Sequence, residues 1–177
     1  MHFERLVSMD HPFYKAAMDL YQQSFPFHEQ REPVLQKRVL QERDYRFYLI
    51  FDKTIWAGLL LSWETREFIY VEHFCIAPDL RNKKYGQRAL SVLEAYGKTV
   101  ILEIDPPVDA LSQRRKLFYE RAGYRANPFF HLHPPYHQGY RGHELVVMSN
   151  PHRLTREEYR RFDQYLKNTV MKQEHGS

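Results

Sequence analysis

Four basic side chains cluster around one glycine in the middle of the chain, at a spacing that predicts an anion site. Arg81, Lys83, Lys84 and Arg88 surround Gly86, and an apolar helical pattern follows them. The N-terminus of a helix exposes unpaired backbone amides and the positive end of the helix dipole. Cationic side chains added there favour a phosphate group most of all. A basic turn that is simply solvated is the alternative interpretation.

Two carboxylates are embedded in apolar, strand-like runs, where a charged group is unusual. They are Glu72 and Glu103. A buried carboxylate loses hydration, which raises its pKa toward the range of a general base unless a partner pairs with it. We therefore expect each glutamate either to act as a base or to be held in a structural ion pair, for example with Arg114 or Arg115.

The remaining reactive side chains carry weaker signals. Cys75 is the single cysteine, so an internal disulfide is excluded, and a strand cysteine without a Cys-His motif is typical of a small buried hydrophobe rather than a nucleophile. His131, His133, His137 and His143 lie in a proline-rich stretch without regular ligand spacing. We expect no metal site, and interpret these histidines as surface residues or as neighbours of a substrate.

The elements that must position these residues alternate along the chain. Pro78 stops the central strand, while Gly97 and Gly123 end helices. This alternation predicts an α/β protein with a mixed (α+β) central sheet and helices on both faces. Strands are predicted at 3–7, 45–51, 54–63, 68–76, 99–104, 124–132 and 144–148, and helices at 11–24, 34–42, 86–96, 109–122 and 155–171.

Two stretches resemble signatures of the GNAT-type N-acyltransferases. The first, PDLRNKKYGQRAL at 78–90, is similar to that family's acetyl-CoA motif: Arg or Gln, two residues, Gly, one residue, then Gly or Ala. Arg81 and Gly86 match, whereas Lys84 replaces the first glycine. The second, FYERAGY at 118–124, resembles a recurring Leu/Phe-Tyr-Glu-x-x-Gly-Phe/Tyr stretch. The resemblance implies a GNAT-like fold over one domain, 1–177, with the last helix as an addition.

The resemblance also implies a cofactor and its contacts. In the family, turn amides hold the pyrophosphate of acetyl-CoA, and the strand before the turn pairs with the pantetheine arm. The cofactor-binding residues implied here are Phe74, Cys75, Ile76, Arg81, Asn82, Lys83, Lys84, Tyr85, Gly86, Gln87 and Ser112.

Catalytic and acceptor roles follow from the same resemblance. Tyr119 matches the tyrosine that protonates the departing thiolate, although a tyrosine at a helix end can also simply pack its ring. Members of the family place a base at the position of Glu103 or on the central strand, where Glu72 lies. The acceptor loops of the family correspond to Phe27, His28, Glu29 and Tyr136.

Composition excludes several other classes of protein. The net charge of +4 is a mild basic excess with interspersed acids, and no base-reading motif is present, so we expect no nucleic-acid partner. A signal-like or membrane-spanning apolar run is absent from the sequence, so we expect a cytoplasmic protein without a membrane partner. Edge strands in such sheets can pair between copies, which leaves a homodimer open.

The sequence therefore predicts an acetyl-CoA-dependent N-acetyltransferase that acts on a primary amine of a small molecule or peptide by direct transfer. A non-catalytic acyl-CoA-binding or regulatory module is the alternative, favoured by Lys84 in place of glycine. A third hypothesis, a nucleic-acid-binding protein, is supported only by the net charge.

Overall fold

The computed structural model describes residues 1–172; the end of the predicted domain, 173–177, lies outside the described residues. The strands are β1 (His2–Arg5), β2 (Tyr45–Asp52), β3 (Ile55–Glu64), β4 (Phe68–Ile76), β5 (Thr99–Ile104), β6 (Arg125–Ala126), β7 (Leu132–His133), β8 (His143–Glu144) and β9 (Val146–Asn150). Over the described range they form a seven-stranded mixed sheet in the order β1-β2-β3-β4-β5-β9-β6, together with a separate β7–β8 ribbon.

The helices start and stop where local chemistry allows. They are α1 (Tyr14–Ser24), α2 (Pro33–Val39), α3 (Tyr85–Glu94), α4 (Ala110–Arg121) and α5 (Arg156–Tyr165), with 3-10 turns at Phe27–Glu29 and Pro78–Leu80 and a π-helical turn at Leu166–Val170. A capping box formed by Thr155 and Glu158 begins α5, because each side chain accepts the other residue's backbone amide. None of the helices in residues 1–172 is long and apolar enough to cross a membrane.

Two apolar cores cover the two faces of the sheet. On one face α1, α2 and α5 pack against aromatic side chains such as Phe47, Trp63 and Tyr70. On the other face α3 and α4 pack against the aliphatic residues of β4 and β5, among them Val71 and Leu102. The predicted mixed sheet with helices on both faces is therefore confirmed.

The predicted strand at 124–132 is wrong. Only Arg125–Ala126 pairs with β9, and the chain then leaves the sheet. Asn127 turns its side-chain amide to the Ser149 hydroxyl (3.0 Å) and the Val147 carbonyl (3.1 Å), and the next residue, Pro128, has no amide for a ladder. The residues further on form the β7–β8 ribbon instead.

The middle of the sheet opens at one end. β4 and β5 pair in parallel only from Phe68–Val71 to Thr99–Leu102, while β4 continues to pair with β3 as far as Ile76. The β3–β4 register shifts between Leu61 and Ser62, which leaves Glu72 as the extra residue of a bulge. The end of β4 therefore keeps backbone groups that β5, within the described residues, does not pair.

Candidate active site

A cleft of about 1340 Å³ lies where β4 and β5 separate. Its walls are the end of β4, the basic turn with the start of α3, the inner side of α4, and the loop carrying the β7–β8 ribbon. The residues predicted from the sequence that line it are His28, Glu29, Glu72, Phe74, Cys75, Ile76, Arg81, Asn82, Lys84, Tyr85, Gly86, Gln87, Glu103, Tyr119 and Tyr136.

The basic turn has the backbone shape of an anion cradle. Asn82 and Lys84 both adopt left-handed conformations, with φ of +61° and +63°. Lys84 therefore takes the conformation that glycine adopts most easily, so the turn keeps its shape without glycine. Its carbonyl accepts the amide of Arg88 (3.0 Å), which leaves the amides of the preceding residues, 85–87, at the open N-terminus of α3.

The cations of this turn are divided between different tasks. Arg81 donates from Nε to the Ile76 carbonyl (3.1 Å), so its guanidinium stays beside the end of β4. Arg88 instead forms a bidentate pair with Asp52, at 2.7 and 2.8 Å, away from the cleft. Arg88 therefore does not belong to the predicted basic cluster around the anion site.

The facing wall is built by α4. Arg114 and Arg115 line the cleft, and Arg115 donates to Asp105 (2.8 Å). Helices α3 and α4 approach closely at Gly86, where an added Cβ would lie 3.1 Å from the Phe118 ring. Glycine at this point thus allows the two walls to meet.

Tyr119 occupies the inner end of this wall. Its ring packs against Phe118 and Tyr124, with centroids 5.1 and 5.7 Å apart, and its side chain lines the cleft. Burial raises the pKa of Tyr119 to about 12, an effect that Arg115 opposes. The phenol is therefore fully protonated at neutral pH and can donate a hydrogen bond.

Glu72 is fully engaged in a buried network. Oε1 accepts from Arg31 (2.6 Å) and from the Tyr136 hydroxyl (2.8 Å), and Oε2 accepts from the Trp63 indole (2.8 Å). Burial is the largest influence and raises the pKa, yet the nearby charges and donors together lower it to about 2. Of the two alternatives for Glu72, the structure contains the ion pair, and Arg31 is the counter-ion in place of Arg114 or Arg115.

Glu103 is also paired. Oε2 accepts from the Tyr70 hydroxyl (2.5 Å), and Oε1 forms a short contact with Nε2 of His131. Burial raises its pKa, but His133, His131 and Tyr70 outweigh it, so the net shift is downward. Glu103 is therefore paired as well, and its charged partners are histidines in place of Arg114 or Arg115.

The acceptor side of the cleft is rich in histidine. His73 donates from Nε2 to the Glu29 carbonyl (2.8 Å), and its Nδ1 is buried without a partner in residues 1–172. The ring of Tyr136 stacks on that of His133, with centroids 5.2 Å apart. Burial raises the pKa of Glu29, and the Asp105 carboxylate adds to that effect.

The sequence profile of the Acetyltransferase (GNAT) family matches residues 12–124, more than half of the chain. The chain belongs to the GNAT family. A GNAT-family acetyltransferase structure from Bacteroides thetaiotaomicron is similar to it, with 29% identity, 96% of this chain and 98% of that chain covered, and a TM-score of 0.90.

More distant GNAT structures share the fold. An aminoglycoside 6'-N-acetyltransferase complexed with coenzyme A has 14% identity and a TM-score of 0.59, covering 85% of this chain and 96% of that one. The ribosomal-protein-S18-alanine N-acetyltransferase from Escherichia coli has 17% identity and a TM-score of 0.57, covering 88% and 96%. A search of curated proteins found no match.

Membership of the GNAT family makes the chain an acyltransferase that uses acetyl-CoA. The cleft fits that cofactor, because the unpaired end of β4, the left-handed turn and the open amides of α3 meet along one wall. These are groups that can hold an extended amide chain and a pyrophosphate.

Three predicted site residues lie outside this GNAT cleft. Lys83 and Phe27 do not line it; Phe27 is 59% exposed and stacks on His137. Ser112 closes the capping box of α4 with Asp109, whose carboxylate accepts the Ser112 amide (2.8 Å). Cys75 lines the cleft. Burial raises the pKa of its thiol, so the thiol stays protonated, which favours a packing role over that of a nucleophile.

Several residues that line the cleft, and one that pairs with Glu72 behind it, were not among the predicted site residues. Arg31 lies in a run of charged residues, and nothing in the sequence marks it as the partner of Glu72. Arg114, Arg115 and Lys116 follow one another in the sequence, and this run of positive charge is the signal that could have placed Arg114 and Arg115 on the cleft. His73 and His133 are separated by 60 positions in sequence, so only the fold reveals that they share a wall.

Proposed function

We propose that this GNAT protein transfers the acetyl group of acetyl-CoA directly to a primary amine of a small molecule or peptide. The observation that carries the proposal is that one cleft joins a cofactor-type wall to a polar acceptor wall. The unpaired end of β4 and the basic turn lie on one side, and Glu29, Glu103 and Tyr136 on the other. Tyr119 lies in the same cleft.

The cofactor-type wall holds acetyl-CoA through charge and backbone groups. Arg81, Lys84 and the amides of residues 85–87 hold the phosphates, and the backbone of Phe74–Ile76 pairs with the pantetheine arm. Arg114 on the facing helix adds positive charge to the same side of the cleft. When bound, acetyl-CoA supplies the acetyl group as a thioester whose sulfur leaves as a thiolate.

Tyr119 donates a proton toward that sulfur. A thiol has an ordinary pKa of about 8.5, well below the pKa of about 12 at Tyr119. Complete proton transfer from the phenol before the bond to sulfur breaks is therefore uphill. Tyr119 acts by hydrogen bonding to the developing thiolate and passes its proton as that charge appears.

The two buried glutamates have different tasks. Glu72 accepts three hydrogen bonds and has a pKa of about 2, so it positions Arg31 and Tyr136 at the acceptor wall. Glu103 accepts donors on both oxygens but faces the cleft, and it provides the negative charge that draws the proton from the acceptor amine.

The setting of the reaction is the cytoplasm. A single cysteine, which forms no internal disulfide, fits a reducing compartment. The acceptor is a small amine or a peptide amine, because the cleft is large enough to admit either beside the cofactor-type wall.

A thiol-release assay with acetyl-CoA tests the function across a panel of alkylamines, amino sugars and peptides. We expect release of coenzyme A to depend on one class of acceptor, with mass spectrometry showing the acetylated amine. Calorimetry with coenzyme A in the same buffer is the control. Binding without amine-dependent release would indicate an acyl-CoA-binding module, and absence of binding would contradict the cofactor assignment.

A further inference from the structure

We infer that His133 is the residue that takes the proton from the acceptor amine, and that Glu103 acts as a positioning residue behind it. The inference rests on the proposed function and names the base of that same site. His133 lies on the β7–β8 ribbon and lines the cleft.

The hydrogen bonding of His133 leaves one nitrogen for proton transfer. Nδ1 lies 2.6 Å from the Pro134 carbonyl oxygen, which can only accept, so Nδ1 carries the hydrogen. In the neutral ring the lone pair is therefore on Nε2. That atom is 3.9 Å from Oε2 of Glu103, too far for a hydrogen bond but close enough for the carboxylate to stabilise an imidazolium.

Glu103 itself is poorly suited to accept the proton directly. A carboxylate oxygen can only accept, so a ring nitrogen that engages it must carry the hydrogen. Nε2 of His131 meets Oε1 of Glu103, while Tyr70 occupies Oε2. Both carboxylate oxygens are thus engaged by buried donors, and His133 lines the cleft beside them.

Two other groups at the acceptor wall compete less well for the role. His73 is as buried as His133, but its Nε2 is bound to the Glu29 carbonyl (2.8 Å), and burial lowers the pKa of its ring. Glu29 has a raised pKa, but its carboxylate lies 3.7 Å from Nε2 of His28, which competes for it when protonated. The titratable and charged groups that face His133 are Glu29, His73, Glu103, His131, Tyr136 and His143.

The proton balance of the step is complete with these residues. Nε2 of His133 removes one proton from the ammonium form, which frees the nitrogen lone pair to bond the carbonyl carbon as the carbon–sulfur bond breaks. The amine nitrogen loses two protons in all. One replaces the proton that Tyr119 gives to sulfur, and the other leaves His133 for water.

The tautomer can be measured without turnover. Long-range ¹⁵N–¹H spectra of histidine-labelled protein, assigned by loss of signals in His133→Asn, should show a protonated Nδ1 and an unprotonated Nε2 at pH 8. Asparagine retains an N–H that can reach the Pro134 carbonyl, and His133→Gln provides a second assignment if the first variant does not fold. A hydrogen on Nε2 in the neutral ring would overturn the inference.

Kinetics provide the second measurement, with the best amine from the panel. We expect His133→Asn to bind coenzyme A within about twofold of wild type, to turn over about 10²-fold more slowly, and to lose the inflection through which the wild-type rate rises with pH. A fluorinated analogue of the same amine, which is already unprotonated at neutral pH, should recover most of the lost rate. His152→Asn, an exposed histidine, is the matched control and should retain wild-type kinetics.

The possible outcomes distinguish a failure of this inference from a failure of the proposed function. If the wild type is active and His133→Asn has the same rate and pH dependence, His133 is not the base. The proposed acetyltransferase function would then still stand. An equal loss for the alkylamine and its fluorinated analogue would show a structural role instead of proton transfer. If the wild type acetylates no amine, the proposed function fails, and the inference fails with it.

Discussion

At the scale of single residues, Tyr119 shows how burial sets chemistry. The ring is packed between Phe118 and Tyr124, and burial raises the pKa to about 12. A tyrosine in that state is a poor acid in the ground state and a good hydrogen-bond donor to a growing negative charge. Its contribution should therefore be made mainly in the transition state.

Replacing Tyr119 by phenylalanine tests that role. The ring packing remains, so we expect normal folding and coenzyme A binding within about twofold. Because an interaction made in the transition state is lost, kcat and kcat/KM should fall together by about 10²-fold. Steady-state kinetics on the identified acceptor provide the measurement, and a near wild-type kcat would remove Tyr119 from the mechanism.

Lys84 combines a charge with a strained backbone, and two variants separate these contributions. Lys84→Ala and Lys84→Gly both remove the charge, so both should weaken coenzyme A binding by roughly 1–2 kcal/mol. Only glycine relieves the left-handed conformation, so urea unfolding should find it about 1 kcal/mol more stable than alanine. Calorimetry measures the affinities.

Lys83→Ala is the matched control for that pair. Lys83 carries the same charge one position away but does not line the cleft. The loss of coenzyme A affinity should therefore be smaller in Lys83→Ala than in the Lys84 variants. The difference from wild type should also shrink for pantetheine fragments without phosphate. Full affinity in both Lys84 variants would contradict a phosphate contact.

The pair formed by Glu72 and Arg31 predicts an acid-sensitive fold. The ordinary pKa of glutamate is 4.5 and that of Glu72 in the folded protein is about 2, so the folded state binds its proton more weakly than the unfolded state. The resulting stability, about 3 kcal/mol, is present above pH 5 and is lost as the pH falls toward 2. Arg31→Met should lower the free energy of unfolding by more than protonation of Glu72 does, since it leaves a buried carboxylate without this counter-ion.

Urea unfolding of wild type and Glu72→Gln at pH 2–7 measures that acid sensitivity. The free energy of unfolding should fall more steeply with acid in the wild type than in the glutamine variant. Parallel curves would show that the carboxylate contributes no such linkage.

At the scale of elements, α4 begins with a capping box that engages a residue predicted to bind the cofactor. Ser112 was placed with the cofactor, yet it is buried in the capping box that begins the helix. We expect Ser112→Ala to lower the free energy of unfolding by about 1 kcal/mol and to leave coenzyme A affinity unchanged. Thermal unfolding and calorimetry measure the two effects.

Ser91→Ala is a suitable control for that substitution. Ser91 is exposed in α3 and bonds only to a carbonyl of its own helix, so its removal should be nearly neutral. A large loss of coenzyme A affinity in Ser112→Ala alone would restore Ser112 to the cofactor site.

Elements with strong local signals could be predicted, and those governed by distant contacts could not. The Thr155 capping box and the stop at Pro78 are encoded by neighbours in sequence, and both appear in the structure. The stretch 124–132 reads as a strand, but Asn127 and the following proline turn it out of the sheet. The bulge at Glu72 depends on the register with β3, which no local pattern specifies.

The same division holds within the site. The residues of the turn and of β4 were predictable because they follow one another in a recognisable motif. Arg31 and His133 come from parts of the chain distant from Glu72 and Glu103, so their contacts with these glutamates depend on tertiary structure. The sequence leaves the direction of both glutamate pKa shifts open for that reason, since burial without partners and burial with partners have opposite effects.

At the scale of the whole molecule, the π-helical turn at Leu166–Val170 supports the buried pair behind the cleft. The Val170 carbonyl accepts from the guanidinium of Arg31, at 3.3 and 3.4 Å, and Arg31 in turn holds Glu72. Leu166, Val170 and Met171 are fully buried in the core beside them. The π-helical turn at Leu166–Val170 therefore helps to hold Arg31 and Glu72 in place and is not only an addition to the fold.

The separation of β4 from β5 has a consequence beyond cofactor binding. An unpaired strand edge is a template on which another chain can add, and proteins with such edges tend to aggregate. Here the edge lies between α3 and α4, which meet closely at Gly86, so it faces a narrow cleft instead of a flat open surface. The thin, flexible pantetheine arm of the cofactor can reach those backbone groups, whereas a strand of a second sheet cannot approach them. The geometry that admits the cofactor thus also protects the protein from self-association through the middle of its own sheet.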